Sequence, residues 1–540
     1  MGDRVTDSYD VVVVGAGSAG CVLATRLTEN PATSLCLIEA GGRDRNPWIH
    51  IPLGFGRLVP NPKVNWGYET EPEPNLSGRR VSWPRGKVLG GSGSINGLVF
   101  LRGAASDYDG WEAMGAKGWG YKNVLPYFKR MEHNVRGADA YRGQGGPMTI
   151  SDIKNPSATA KAFVEACRRL QHPANSDFNG ERIDGVGMVQ LNVRNGWRCS
   201  TATGYLKPNL SRRNLTLMTR THVRKLLFEG RRAVGVEVEQ GGAIKQIRAR
   251  REVIVSGGAI NSPALLMNSG VGPAAELKQV GIEPRHDLPG VGKNLQDHVQ
   301  ARFTFLTRTP GTLNEILTST RQQVHMVLQW LRSAAGQLAV GATEGTLFAK
   351  SSPTEPVPDL QFQCTNFSTE HLTLGLDRWP GFGFNFCVCR PKSRGEIKLA
   401  DGTGRSKPLI FANYFSDDDD MRRSVAAFHI GRQIIATEPY RSLIFCEVRP
   451  GAHVVEEAQI RDFIRQVAGT VFHPCGTCRM GEDDKSVVDS ELRVRGLEGL
   501  RVADASVMPV IPSPNIHPAT IMIAEKGSDI IASTLVAGRR

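Results

Sequence analysis

Two of the twelve histidines stand where they could carry chemistry. His473 lies in Phe472-His473-Pro474-Cys475-Gly476-Thr477-Cys478-Arg479-Met480-Gly481, and His517 in Pro514-Asn515-Ile516-His517-Pro518-Ala519-Thr520. Both precede proline, which biases each histidine backbone away from helix and toward an extended conformation. His517 is expected at the N-cap of a last helix, with Pro518 at its first position. Each imidazole is thus held at the edge of a regular element, where a preorganised group belongs. An imidazole titrating near neutrality can take a hydroxyl proton while a hydride leaves the adjacent carbon. A helix N-terminus at 518–520 would stabilise negative charge on the hydride acceptor. Taken alone, loop histidines are structural more often than catalytic, so spacing leaves the pair open. Cys475-x-x-Cys478 invites a zinc or redox reading, but zinc needs two further ligands and there is no second such pair. Buried thiols and no metal are expected. His298, in Asn294-Leu295-Gln296-Asp297-His298, has no evident partner and is read as structural. No G-x-S-x-G, P-loop or H-E-x-x-H motif supports a hydrolase, nucleotide phosphatase or zincin.

The elements that must position such groups are most legible at the start of the chain. Val11, Val12, Val13 and Val14 read as a strand buried on both faces. Gly15-Ala16-Gly17-Ser18-Ala19-Gly20 follows, then helical spacing through Leu27 and a second strand, Leu35-Cys36-Leu37-Ile38, ending at Glu39. Gly15 permits the tight turn, Gly17 lets backbone approach a pyrophosphate at the helix N-terminus, and Gly20 allows close helix–strand packing. Glu39 can accept ribose hydroxyls at the end of the second strand. This unit predicts dinucleotide binding without choosing between NAD and FAD.

Three later features favour FAD. The Gly/Ser run 84–97 offers many backbone N–H groups and little bulk, suited to wrapping a long cofactor. Val253-Ile254-Val255-Ser256-Gly257-Gly258 reads as a buried strand returning to the first sheet, followed by a helix capped by Ser262 with Pro263 at its first position. Between 223 and 247 the pattern alternates as strands. Near the C-terminus, Leu500-Arg501-Val502-Ala503 reads as a short strand leading to Asp504-Ala505 and the His517 helix. The expected division is a discontinuous cofactor domain (1–155, 221–299 and 470–540) and a substrate-facing domain (156–220 and 300–469).

Composition bounds the rest. The chain has 540 residues, 40% of them apolar, which suits a large core and two or more structural units. The net charge is +13, yet the basic residues are dispersed, whereas nucleic-acid binding normally shows a concentrated stripe. No nucleic-acid partner is expected; attraction to an anionic membrane face or an acidic partner is compatible with the charge. The acidic run 417–420 reads as a solvated turn before a helix starting near Met421. Ten scattered cysteines, a polar first ten residues and no long apolar run predict a soluble cytoplasmic protein, at most peripheral at a membrane. Aromatics crowd 300–386 (Phe303, Phe305, Trp330, Phe348, Phe362, Phe367, Trp379, Phe382, Phe384, Phe386), which suggests an apolar or aromatic ligand or simply a core.

Taken in order, VVVVGAGSAGCVLATRL with IEAGG, WPRGKVLGGSGSINGLVFLRG, VIVSGGAINSPALLMNSGVGP, LPGVGKNLQDH, CRPKSRG, FHPCGTCRMG, and LRVADASVMP with HPATIMIAEK resemble the glucose–methanol–choline (GMC) oxidoreductases nearly end to end. The resemblance is to the choline-dehydrogenase-like, alcohol-dehydrogenase branch. It implies an α/β fold: a Rossmann-like FAD-binding domain assembled from separated segments, plus a substrate domain with an antiparallel sheet and covering helices. It implies ADP contacts at Gly15, Gly17, Gly20 and Glu39, and flavin-side contacts at Gly91, Ser92, Asn96, Asp504, Ala505 and Pro518. An adenine-end contact is implied at Val223. His473 falls on the family's catalytic base and His517 on its second catalytic position. That second position usually reads Asn-Ala-Pro-Thr in this branch, whereas His517-Pro518-Ala519-Thr520 stands here, a His–His pair commoner among aryl-alcohol and sugar oxidases. Members with covalent flavin carry histidine at the position of Ile95, so non-covalent FAD is expected. The implied reaction is oxidation of a primary alcohol to an aldehyde, with oxygen or a quinone as final acceptor. A hydroxynitrile-lyase-type reaction and fatty-acid photodecarboxylation are the alternatives on the same fold.

Overall fold

Val11, Val12, Val13 and Val14 are buried, as a β-branched run requires of a central parallel strand. A computed structural model describes residues 7–370 and 375–537; residues 1–6 of the polar opening stretch, 371–374 of the aromatic-rich stretch and 538–540 lie outside it. The strands used below are β1 (Asp7–Val14), β2 (Leu35–Glu39), β3 (Gly185–Met188), β4 (Leu215–Thr219), β5 (Thr221–Glu229), β6 (Arg232–Gln240) and β7 (Ala243–Val255). They continue with β8 (Val299–Leu306), β9 (Gly345–Ala349), β10 (Leu360–Thr365), β11 (Gly381–Val388), β12 (Cys446–Arg449), β13 (Gly469–Thr470) and β14 (Leu500–Val502). The helices are α1 (Ser18–Leu27), α2 (Gly258–Asn268), α3 (Thr320–Ser333), α4 (Asp418–Ala436) and α5 (His517–Ala537).

The first sheet runs β4-β2-β1-β7-β6-β5, with β14 beside β7. Val12 faces Cys36 and Val253 in parallel register, while β5, β6 and β7 form an antiparallel meander. β4 was expected in the second unit, within 156–220. It instead pairs with β2, Leu215 opposite Leu35. It is a short, half-exposed edge strand and lacks the apolar run that marks the central ones. The second sheet is antiparallel, in the order β12-β8-β11-β10-β9-β3 with β13 beside β8. Phe303 pairs with Phe384 and Phe362 with Phe386.

Two helix starts differ from expectation. α2 begins at Gly258, so Ser262 and Pro263 lie inside it. Proline removes the N–H that would bond the carbonyl four residues back. Here that carbonyl, Ala259 O, accepts from Thr477 Oγ1 at 2.6 Å. α4 begins at Asp418, with Asp417 as cap accepting from Asp419 N at 3.0 Å. Asp420 is buried rather than solvated, accepting from Lys392 N (2.7 Å) and Ser393 N (2.9 Å). α5 begins at His517 itself, one residue before the expected first position at Pro518. Its buried Glu525 accepts from Arg26 Nε (3.0 Å) and Nη2 (2.9 Å), tying the last helix to α1. That bidentate pair sets where the helix presents His517.

Candidate active site

The turn after β1 opens onto a cavity of about 410 Å³ between the two sheets, within the range of small-ligand sites. Gly15, Gly17, Glu39 and Val223 border it, as do Gly91, Ser92 and Asn96. Asp504, Ala505, His473 and His517 border it too. Gly20 and Pro518 do not. Gly20 packs under the turn, where an added Cβ would sit 1.8 Å from Gly15 O. Pro518 lies buried in the first turn of α5.

On the first-sheet side the surface is mostly backbone. Gly91 has φ +54° and passes so close to Gly17 that an added Cβ would lie 2.7 Å from Gly17 Cα. The N-terminus of α1 has no side-chain cap, leaving its positive end to a ligand. Glu39 accepts from Ala16 N (2.9 Å) and Gly41 N (2.8 Å). Burial nevertheless pushes its carboxyl up to about 7. Asp504 is occupied by protein donors: Gly258 N (2.8 Å), Ser262 Oγ (2.5 Å) and Ser506 N (2.7 Å). Its carboxylate therefore organises the turn into α2.

On the second-sheet side a directed chain of hydrogen bonds ends at His473. Cys389 O, which can only accept, lies 2.8 Å from His298 Nε2, so that nitrogen carries the proton. The neutral ring then offers a lone pair at Nδ1, 3.0 Å from His473 Nδ1, which must donate. His473 Nε2 is left with a lone pair, 3.0 Å from Asn515 Nδ2. Burial holds His473 well below the ordinary imidazole value, and neighbouring His298 and Arg85 add to the shift. His298 is pushed down to about 4 by burial and Arg390, against the Cys389 bond. The arrangement presents an unprotonated nitrogen able to accept a proton. His298, read from the sequence as structural, is the partner that orients it; its only sequence signal was its place in LPGVGKNLQDH.

The backbone is held to match. His473 N donates to Asp297 Oδ1 at 2.7 Å. Phe472 adopts φ +70°, a costly conformation for an aromatic residue. It is secured by Phe472 N to Thr470 Oγ1 (2.6 Å) and by Arg85 Nη2 to Phe472 O (2.8 Å). Asp297, pushed up to about 6 by burial, also accepts from Tyr414 Oη.

His517 is the complement. Neither ring nitrogen has a hydrogen-bond partner among the described residues, and both are buried. Burial and nearby Arg198 push it down to about 4. Asn515 Oδ1 is likewise buried and unpartnered. Such orphans cost about 1–3 kcal/mol each unless a ligand meets them. Arg198, missed in the sequence, donates to Asn96 Oδ1 (2.6 Å), Gly93 O (3.3 Å) and Ile49 O (2.7 Å), fixing the glycine loop. The backbone cradle at one side and the unmet polar atoms at the other fit an extended dinucleotide held by Gly17, Gly91, Glu39 and Val223. Ile95, buried beside the cavity, has no nucleophile to bond it.

Other expectations resolve plainly. Of the crowded aromatics, Phe303, Phe305, Phe362, Phe382, Phe384 and Phe386 pack as core on one face of the second sheet and Phe348 is buried elsewhere, while Phe367 borders the cavity. Cys475 and Cys478 are buried free thiols pushed above the usual thiol range by burial. No helix among the described residues is long and apolar enough to cross a membrane.

Comparison with known proteins agrees with this geometry. Family models described as GMC oxidoreductase match residues 9–300 and 391–524. The chain is 42% identical to an alcohol dehydrogenase [acceptor] of Pseudomonas putida, over 97% of this chain and 95% of that protein. It is 42% identical to an oxygen-dependent choline dehydrogenase of Brucella anthropi, with the same coverage. Pyridoxine 4-oxidase from Mesorbium loti superposes with a TM-score of 0.88 at 30% identity, covering 96% of this chain and 98% of that one.

Proposed function

This chain belongs to the GMC oxidoreductase family, an FAD-dependent family, and from that premise we propose that it oxidises a primary alcohol to an aldehyde with His473 as the base. The observation that carries the proposal is the oriented chain Cys389–His298–His473, which leaves Nε2 unprotonated beside the cavity. FAD, held by Gly17, Gly91, Glu39 and Val223, would supply the two-electron acceptor for the hydride. His473 Nε2 accepts the hydroxyl proton, in the place where Asn515 now donates. One nitrogen of His517, free of protein partners, bonds the same oxygen and orients it. The FAD is held non-covalently.

The cavity also narrows the substrate. Gln300 Oε1, Gln363 Nε2 and Asn385 Oδ1 are buried without partners among the described residues, and these three residues border the cavity, as do Phe55 and Phe367. An alcohol with an apolar or aromatic body and a hydrogen-bonding substituent answers both surfaces. Arg302 also borders the cavity, and the only carboxylates that do so among the described residues are Glu39 and Asp504, both on the first-sheet side. A cationic alcohol such as choline, named for one relative, is therefore expected to be a poor substrate.

The test is a panel of neutral, aromatic and cationic alcohols, assayed with oxygen and with an artificial quinone, beside anaerobic mixing of His473→Ala. Wild type should bleach its flavin with neutral polar-substituted alcohols. Undiminished bleaching by the variant would remove His473 from the mechanism. A flavin that no alcohol reduces, in a protein that cleaves cyanohydrins, would establish the lyase alternative instead.

A further inference from the structure

Helix α3 has two apolar sides. Met326 and Trp330 are buried against the fold. Val324, Val327, Leu328 and Leu331 follow the i, i+3, i+4, i+7 spacing of a second stripe, yet are 53%, 41%, 43% and 66% exposed. A surface helix normally shows one such stripe, turned inward. With Leu317, these are five of the twelve exposed large apolar residues among the described residues, so the exposure is a patch rather than scatter.

The surroundings of the patch are cationic. α3 carries Arg321, His325 and Arg332 and no carboxylate. Against it sits the 193–198 hairpin, whose half-exposed Trp197 meets Trp330 edge-on at 4.4 Å while Trp330 Nε1 donates to Gly196 O. Beside Trp197 opens a cleft lined by Arg45, His50, Arg194, Arg198 and Lys207, with no carboxylate in its lining. Asp44, next in sequence to Arg45, is already paired with Lys207 at 2.8 Å.

We propose that α3 and the adjoining 193–198 hairpin form a docking face for an anionic lipid surface, with the apolar stripe in the acyl boundary and the cleft receiving a headgroup phosphate. The combination of an exposed apolar stripe, an interfacial tryptophan and clustered cations is what reversible surface binding needs, because neither signal alone holds a protein there. A second copy of this chain is a poorer occupant, since a two-fold contact through the stripe would set Arg321 and Arg332 against their own kind. The face is independent of the redox reading, although Leu53 packs both against the α3 cluster and beside Phe55, which borders the cavity.

The test is flotation of the full FAD-loaded chain with phosphatidylcholine vesicles, with and without phosphatidylglycerol, at low and high salt. Wild type should float with the anionic vesicles at low salt. Leu328→Gln/Leu331→Gln should lower partition at least about tenfold, with thermal melting and turnover of a water-soluble alcohol unchanged. Arg321→Gln/Arg332→Gln should cut the preference for anionic vesicles about thirtyfold. Wild type that floats with neither vesicle would overturn the proposal, as would a glutamine pair that floats like wild type. A wild-type dimer in sedimentation that the glutamine pair dissolves would also overturn it, assigning the stripe to a second copy.

Discussion

The two sides of the cavity are built by different means. On the first-sheet side the surface is backbone: a glycine turn, an uncapped helix end and one carboxylate held by the N–H groups of Ala16 and Gly41. On the second-sheet side it is a polar chain assembled from Arg85, Asp297-His298, Cys389, Phe472-His473 and Asn515, stretches far apart in the chain. The first can lose a contact and keep its shape, because main-chain geometry holds it. The second is cooperative: the protonation of each ring is dictated by the next, so one lost partner changes what His473 presents. Binding and chemistry should therefore separate under mutation.

His473→Ala should lower kcat by about 10²–10⁴ while FAD content stays unchanged, read by flavin absorbance and stopped-flow reduction. Loss of FAD along with activity would erase the distinction between the sides. Acid stability is the next largest effect. His298 titrates near 4 when folded, against about 6.5 for a free imidazole. Above pH 6.5 it is neutral in both states and contributes nothing to the pH dependence. As pH falls from 6.5 to 4 the unfolded chain takes up the proton first, so stability is lost. Relative to wild type, His298→Gln should gain about 3 kcal/mol across that window in denaturant melts of apo-protein. A constant difference would refute the buried neutral ring. Glu39 and Asp297, pushed upward, oppose this slope in both proteins and cancel in the comparison.

On the other side, Glu39→Ala should weaken FAD about ten- to a hundredfold in titrations of apo-protein, with kcat at saturating FAD nearly unchanged. A fall in kcat instead would mean the sides are coupled. The smallest effect is His298→Leu, about tenfold in kcat, with the acid limb of kcat/KM moving up toward pH 6.5 as His473 loses its neighbour. His298→Gln, which can still donate to Cys389 O and accept from His473, should recover much of the rate. Equal loss in both variants would reduce His298 to a packing role.

Much of this was readable from local pattern. The β1–α1–β2 unit, the return at β7 and the region where α5 starts all rest on local runs of sequence, and they stand close to where the residues placed them. The misreadings share a cause. β4, with its threonines and half-exposed surface, does not announce its sheet, and Ser262-Pro263 looked like a helix start because the hydroxyl that meets Ala259 O comes from Thr477. Asp420 looked solvated because its partners, Lys392 N and Ser393 N, lie in a loop distant in the sequence. Most aromatics between 300 and 386 fill the core from one face of the second sheet, and alternation turns the other face, with Gln300, Arg302, Gln363 and Asn385, toward the cavity.

By itself the amino-acid order determined which segments would become strand, turn and helix around a dinucleotide, and that two histidines would sit at element ends. Short-range sterics and apolar spacing act within a few residues, so they are written where they act. Only the tertiary structure decided that His298 orients His473, that Arg198 braces the glycine loop, and that the second stripe of α3 faces outward. A buried donor takes whichever acceptor the packed interior leaves within reach, and that choice exists only once distant segments have displaced the water between them.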